Sequence, residues 1–174
     1  MNEFVSIDTA CIDGVFDRIG KQWMLISAMD GEHTNTMTAS WGCLGVLWNK
    51  PVAVCFIRPQ RYTYTLTEKA EHLSLAFLGE AYRAALTYCG RNSGRDGDKF
   101  AATGLHCATT ENGVPYPAEA DLVLICRKLY ADDIKKAAFI DTDMLKHYEA
   151  NDFHRVYICE IEQALVRKST QDLL

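Results

Sequence analysis

Two segments carry most of the chemistry legible in this sequence. They are Asn35-Thr36-Met37-Thr38-Ala39-Ser40-Trp41-Gly42 and Arg58-Pro59-Gln60-Arg61-Tyr62-Thr63. Read as a strand, the first puts Thr36, Thr38 and Ser40 on one face and Met37, Ala39 and Trp41 on the other. A hydroxyl row suits hydrogen bonding to a ligand, and small Ala39 and Gly42 let a planar polar ring approach the backbone. The second segment brings two guanidiniums and the Thr63 hydroxyl to a helix start, a place suited to phosphate. Each also has an ordinary reading, as a solvated face of an edge strand or as a surface loop with two solvated arginines. Taken together they point to a flat aromatic cofactor with a phosphate tail.

A third cluster, Cys89-Gly90-Arg91-Asn92-Ser93-Gly94-Arg95-Asp96-Gly97-Asp98-Lys99-Phe100, places a thiol, a hydroxyl and several cations at a helix end and loop. Its ordinary reading is a self-paired charge loop, with Cys89 a buried helix residue rather than a reactive thiol.

The elements that must position these groups can be read from periodicity. Residues 8–19 read as a helix capped by Asp8 and closed by Gly20, although Gly14 interrupts it. Residues 22–29 and 34–40 read as a hairpin turning at Asp30-Gly31. Trp48-Asn49-Lys50-Pro51 reads as loop and residues 52–57 as a buried strand. A helix starts at Thr63 or Thr65, where Thr65 and Glu68 are spaced as a capping box. Leu73, Leu75 and Phe77 alternate as a strand, and residues 81–89 have helical spacing with Gly90 as the stop. Residues 91–99 read as a surface loop or broken helix, and Asn112-Gly113 as a turn. Residues 122–126 and 156–161 are further strands, with a short helix over 141–148. Strands with helices inserted between them predict a closed or nearly closed barrel in a β-rich α+β protein of one domain over residues 1–174.

Composition narrows the function classes. The chain has 174 residues, 48% apolar and 24% charged, with 18 Lys and Arg against 23 Asp and Glu, a formal net charge of −5. That balance argues against nucleic acid, and there is no basic amphipathic stretch for a membrane surface. The seven cysteines are scattered and odd in number, and Met1-Asn2-Glu3-Phe4 resembles no signal peptide. The expectation is a reducing cytoplasm with free thiols.

Familiar catalytic signatures are absent. There is no close Cys-x-x-Cys pair, no His-Glu-x-x-His, no Gly-x-Ser-x-Gly and no Gly-x-Gly-x-x-Gly. The run from Gly14 to Lys21 misses a phosphate loop, with five residues between the glycines and Gln22 where Ser or Thr should follow. No metal site is expected, His106-Cys107 included.

In this order, residues 35–48 with Lys50-Pro51, 58–64, 89–100, 122–130 and 152–161 resemble the flavin-reductase-like, FMN-binding split-barrel superfamily, closest to its flavoredoxin-type branch. The resemblance covers residues 23–161. It implies a six-stranded split β-barrel with peripheral helices, in a homodimer with FMN near the subunit interface. By the same resemblance, Thr38, Ala39, Ser40 and Trp41 line the ring and ribityl chain, largely through backbone. Arg58, Tyr62 and Thr63 hold the phosphate end, while Cys89, Ser93 and Lys99 belong to the third cluster beside the flavin. His154 lies near the ring and nicotinamide site. Cys43 and Cys159 stand where many relatives have glycine, and are expected to narrow the site or alter access.

The activity this implies is an FMN-dependent oxidoreductase reducing flavin or a small acceptor with NAD(P)H. The flavin supplies the redox chemistry, so no indispensable acid–base residue is expected. Two alternatives stand beside it: an FMN-binding electron carrier without its own nicotinamide site, passing electrons to a small molecule or protein, and a non-flavin ligand-binding barrel.

Overall fold

Strand β3 (Thr34–Ala39) and strand β4 (Gly42–Leu47) lie at opposite ends of one sheet, yet only Ser40 and Trp41 join them. The computed structural model, which describes residues 3–169, orders that sheet β3-β2-β6-β9-β10-β5-β4, all antiparallel. The other members are β2 (Met24–Met29), β5 (Lys50–Ile57), β6 (His72–Phe77), β9 (Leu122–Asp133) and β10 (Arg155–Arg167). A flat sheet of this order would hold its end strands ~29 Å apart. Residues 39–42 reach only ~10 Å. The sheet is therefore rolled into a barrel left open between β3 and β4, the split barrel expected. A short β1 (Phe4–Ile7) adds an eighth strand on β10, and β7 (Cys107–Thr109) pairs with β8 (Pro115–Pro117) in a separate hairpin.

Eight strands stand where six were expected, and β1 and β4 have no counterpart in the sequence reading. Strand β4 is mostly exposed, so it lacks the buried alternation that marks a half-buried strand. It turns into β5 through Trp48 and Asn49, at φ 52 and 58. This is the tight two-residue hairpin that needs two positive φ angles. Lys50 and Pro51 are consequently strand, not loop.

The barrel interior is filled by Met24, Ile26, Leu75, Leu124, Tyr157 and their neighbours. The opposite faces of β2, β6 and β9 present Leu25, Ala76 and Val123 to a second cluster containing Leu86, Cys89 and Phe100. Two helices close that outer layer: α3 (Arg83–Arg91) and α4 (Lys99–Thr103). Helix α2 (Tyr62–Lys69) leads from β5 into β6.

Local corrections have identifiable causes. The expected helix over 8–19 splits into a 3-10 turn (Thr9–Cys11) and a single turn α1 (Val15–Asp17), which continues as a π turn. Gly14 at φ 58 is where it breaks. Helix α2 begins at Tyr62, and Thr65 donates within it to the Tyr62 carbonyl. Glu68 turns instead to the Tyr157 hydroxyl, so no capping box forms. Gly90 lies inside α3, and Lys99 opens α4 rather than ending a loop. The segment 141–148 is 3-10 (Thr142–Tyr148). The leader reading at Met1 and Asn2 lies outside the described residues. Among the described residues no helix is long and apolar enough to cross a membrane.

Candidate functional site at the barrel seam

A cavity of about 200 Å³ opens at the seam, lined by Met37, Thr38, Ala39, Ser40, Trp41, Phe56, Arg58, Arg61 and His154. Strand β3 pairs only with β2, so its other edge is free of the sheet. The Thr36 carbonyl points along that edge and accepts from Lys99 Nζ at 3.0 Å. Because N–H and C=O of alternate residues point the same way, Thr38 and Ser40 turn their backbone groups to that edge too. Backbone readout by residues 38–40 is thus available. The hydroxyl row is a different matter. Thr36 is fully buried and bonds Ser27 and the Ile26 carbonyl, and Thr38 donates to the Leu86 carbonyl of α3. Those hydroxyls fasten β3 to its neighbours rather than meeting a ligand.

The two arginines of the second segment diverge. Arg58 forms an ion pair with Asp152, donates to the His147 carbonyl at 3.0 Å, and lies over the Tyr148 ring at 5.3 Å. Its charge is already matched. Arg61 donates to the Gly90 carbonyl at 2.7 Å and the Cys89 carbonyl at 3.1 Å, at the C-terminus of α3. Lys99, 4% exposed, donates to the same Cys89 carbonyl at 2.9 Å. No carboxylate pairs with Arg61 or Lys99 among the described residues. Burial, then the neighbouring Arg61, pulls the Lys99 ammonium down to about 8, and burial also lowers Arg61. The α3 C-terminus, with its partial negative charge, offsets only part of two positive charges.

On the far wall, His154 packs against Trp41 with ring centres 5.2 Å apart, and its Nδ1 lies 2.9 Å from the Tyr148 hydroxyl. Trp41 also meets His147 edge-on at 5.4 Å. Burial, with the Arg58 charge beside it, lowers the His154 imidazole to about 4. It is neutral at ordinary pH.

The flavin reductase-like domain family matches residues 16–174. The chain belongs to that family. No curated protein matches it. Among solved structures, this flavin reductase-like chain is similar to an FMN-binding domain of a flavin reductases-like enzyme from Shewanella baltica. That alignment has a TM-score of 0.70 and 15% identity, covering 96% of this chain and 78% of the other. The flavoredoxin of Desulfovibrio vulgaris (Miyazaki F) has a TM-score of 0.68 and 20% identity, over 94% and 78% of the two chains. A Streptomyces globisporus NADH:FAD oxidoreductase, solved with NAD and FAD fragments, gives 0.63 and 15%, over 84% and 80%.

Of the residues singled out from sequence, Thr38, Ala39, Ser40, Trp41, Arg58 and His154 meet in the cleft of this flavin reductase-like domain. Tyr62 lines a neighbouring groove with Gly94 and Arg95, whose guanidinium sits 5.1 Å above its ring. Thr63 is fully buried and accepts from Asn35 at 2.9 Å, so its hydroxyl is engaged within the protein. The Cys89 thiol is buried and pushed up by that burial, while its carbonyl organises Arg61 and Lys99. The Ser93 hydroxyl accepts from the Arg95 amide. Neither Cys43, which is exposed, nor Cys159, buried in the barrel core, is among the residues lining this cleft. The sequence reading passed over Phe56, Met37, His147, Tyr148 and Asp152, and did not single out Arg61 within its motif. Asp152 could have been found as the acidic residue nearest His154 in sequence, two positions before it.

Proposed function

We propose that the chain is an FMN-dependent oxidoreductase that reduces flavin or a small acceptor with NAD(P)H. The observation that carries this reading is the convergence of Arg61 and Lys99 on the Cys89 carbonyl without a carboxylate, with Arg61 opening into the cleft. Buried cations without counter-charge are costly, and a phosphate arriving there relieves the cost. The residues present fit the group: the backbone edge of 38–40 suits a polar ring, Trp41 and Phe56 suit its flat faces, and Arg61 suits the phosphate. Arg58 supports the cleft through Asp152 instead of holding phosphate directly.

Bound FMN would supply the two-electron redox chemistry. The chain's part is to bind, orient and shield it. Uncompensated positive charge from Arg61 and Lys99 would also favour the more negative, reduced form of the bound group.

Ligand pockets are commonly ~300–1,000 Å³. At about 200 Å³ this cleft covers part of a flavin, and we take the rest of the wall to come from a second copy. Supporting that, the β4–β5 hairpin exposes Val46 at 79% and Trp48 at 56%. The seven unpaired cysteines support a reducing compartment such as the cytoplasm. The visible spectrum of purified or FMN-reconstituted protein tests the reading. Flavin absorbance that bleaches with NADH or NADPH is expected, and protein that takes up no FMN would refute it. Bound FMN that stays oxidised with both nucleotides would instead identify an electron carrier.

A further inference from the structure

His154 meets the cleft with one nitrogen already committed. The residue is 7% exposed and lines the cavity, and its Nδ1 is within hydrogen-bond reach of the Tyr148 hydroxyl. Among the described residues that bond is the only one either side chain makes. Nε2 has no partner among the described residues and is not a fully enclosed atom, which leaves it as the nitrogen free to meet a molecule in the cavity that His154 lines. The direction of the bond follows from chemistry. Imidazole nitrogen is a better acceptor than a phenolic oxygen, and among the described residues the Tyr148 hydroxyl has no other acceptor within hydrogen-bond reach. Nδ1 therefore accepts, and the proton of the neutral ring sits on Nε2.

We infer that Tyr148 is a positioning residue that fixes His154 in the Nε2–H tautomer, so that the cleft presents one directed donor to a carbonyl oxygen or bare ring nitrogen of a planar ligand. Tyr148 is itself held in place. It stacks on Phe153 at 4.7 Å and lies under the Arg58 guanidinium, which Asp152 and the His147 carbonyl anchor. The ionisable and charged groups around the imidazole are Arg58, Asp152, His147 and Tyr148. Burial and Arg58 outweigh Asp152 and keep the ring neutral. Trp41, 44% exposed, offers the adjoining flat surface. An apolar ring would leave the Nε2–H unsatisfied, so the site selects rings that carry an acceptor. The identity of the ligand as a flavin or its planar acceptor rests on the function proposed above; the tautomer does not.

Long-range proton–nitrogen correlation on nitrogen-15-labelled, cofactor-stripped protein at neutral pH reads the tautomer directly. In the wild type, His154 Nδ1 is expected as the bare nitrogen and Nε2 as N–H, and Tyr148→Phe is expected to mix the two tautomers. A proton on Nδ1 in the wild type, or a balance that Tyr148→Phe leaves unmoved, overturns the assignment. FMN titration gives the second arm. Tyr148→Phe and His154→Leu are expected to weaken binding by about 3- to 10-fold. His154→Gln, which keeps an N–H at similar reach, should recover most of the loss. Equal affinities across the set overturn the donor role. Wild-type protein that binds no FMN overturns the flavin reading and the ligand named here, while the nitrogen spectrum still decides the role of Tyr148.

Discussion

Arg61 and Lys99 donate to one atom, the Cys89 carbonyl oxygen, at 3.1 and 2.9 Å. Thirty-eight positions apart in sequence, they arrive there because α2 starts at the seam and α4 starts beneath β3. Two cations on one carbonyl repel each other, and the shifts follow: the Arg61 charge is one of the causes that lower Lys99. Such an arrangement is poised for an anion.

The first prediction separates the two arginines. Arg61→Gln is expected to weaken FMN binding by about 10- to 100-fold, the effect of losing a charge-assisted hydrogen bond. Arg58→Gln should act mainly on stability, by about 1–2 kcal/mol, by freeing Asp152 and the segment around Tyr148. Fluorescence titration and urea unfolding of both variants check this. The reverse pattern would return the phosphate to Arg58.

Legibility of this site followed where its interactions lie in the chain. The strand edge at 38–41 and the arginine at 58 were visible because local residue types carry them, whereas His154 came only with the family resemblance. Thr36 and Thr38 misled, since a hydroxyl row looks the same whether it meets a ligand or, as here, an Ile26 or Leu86 carbonyl. The pairing of Arg58 with Asp152 spans 94 positions, and no local pattern encodes it. The barrel was legible from its buried strands, whereas β4 was not, because an exposed strand has no burial pattern to show.

The second prediction uses the Lys99 value of about 8 against its ordinary 10.5. Between those values the unfolded chain binds more protons than the folded one. Relative to Lys99→Met, stability of the wild type should therefore rise as pH climbs from about 8 toward 10.5. FMN affinity should move the other way, weakening as the ammonium loses its charge above about 8. Parallel denaturation and titration series in the wild type and Lys99→Met check both. A variant that reproduces either wild-type slope would show that another group is responsible.

The third prediction concerns acid. His154 sits at about 4 when folded against 6.5 ordinarily, so the unfolded state gains its proton first as pH falls. Stability from the neutral ring is full above 6.5 and is lost progressively down to about 4. The loss is of order 3 kcal/mol at most. His154→Gln has nothing to titrate and should show a shallower decline over that window. Urea midpoints from neutral to mildly acidic pH, compared between the two proteins, measure the difference.

The fourth prediction tests the contact that docks the third cluster on β3. A Cβ on Gly94 would lie 2.2 Å from Asn35 Oδ1 and 2.8 Å from Tyr62 Cδ1. Asn35 cannot swing aside cheaply, because it is 3% exposed and its amide donates to Thr63. Tyr62 is covered by Arg95, which also donates to the Gln60 carbonyl. Gly94→Ala must therefore push the loop away from β3, at a cost of about 1–3 kcal/mol. Lys99 opens the helix that follows this loop, so the displacement should also weaken FMN binding. Gly97→Ala is the control, since its Cβ would meet nothing within 4 Å. Thermal unfolding and FMN titration of the pair should show both losses in Gly94→Ala and neither in Gly97→Ala. Equal behaviour of the two would mean that the approach of the loop to Asn35 does not hold the site together.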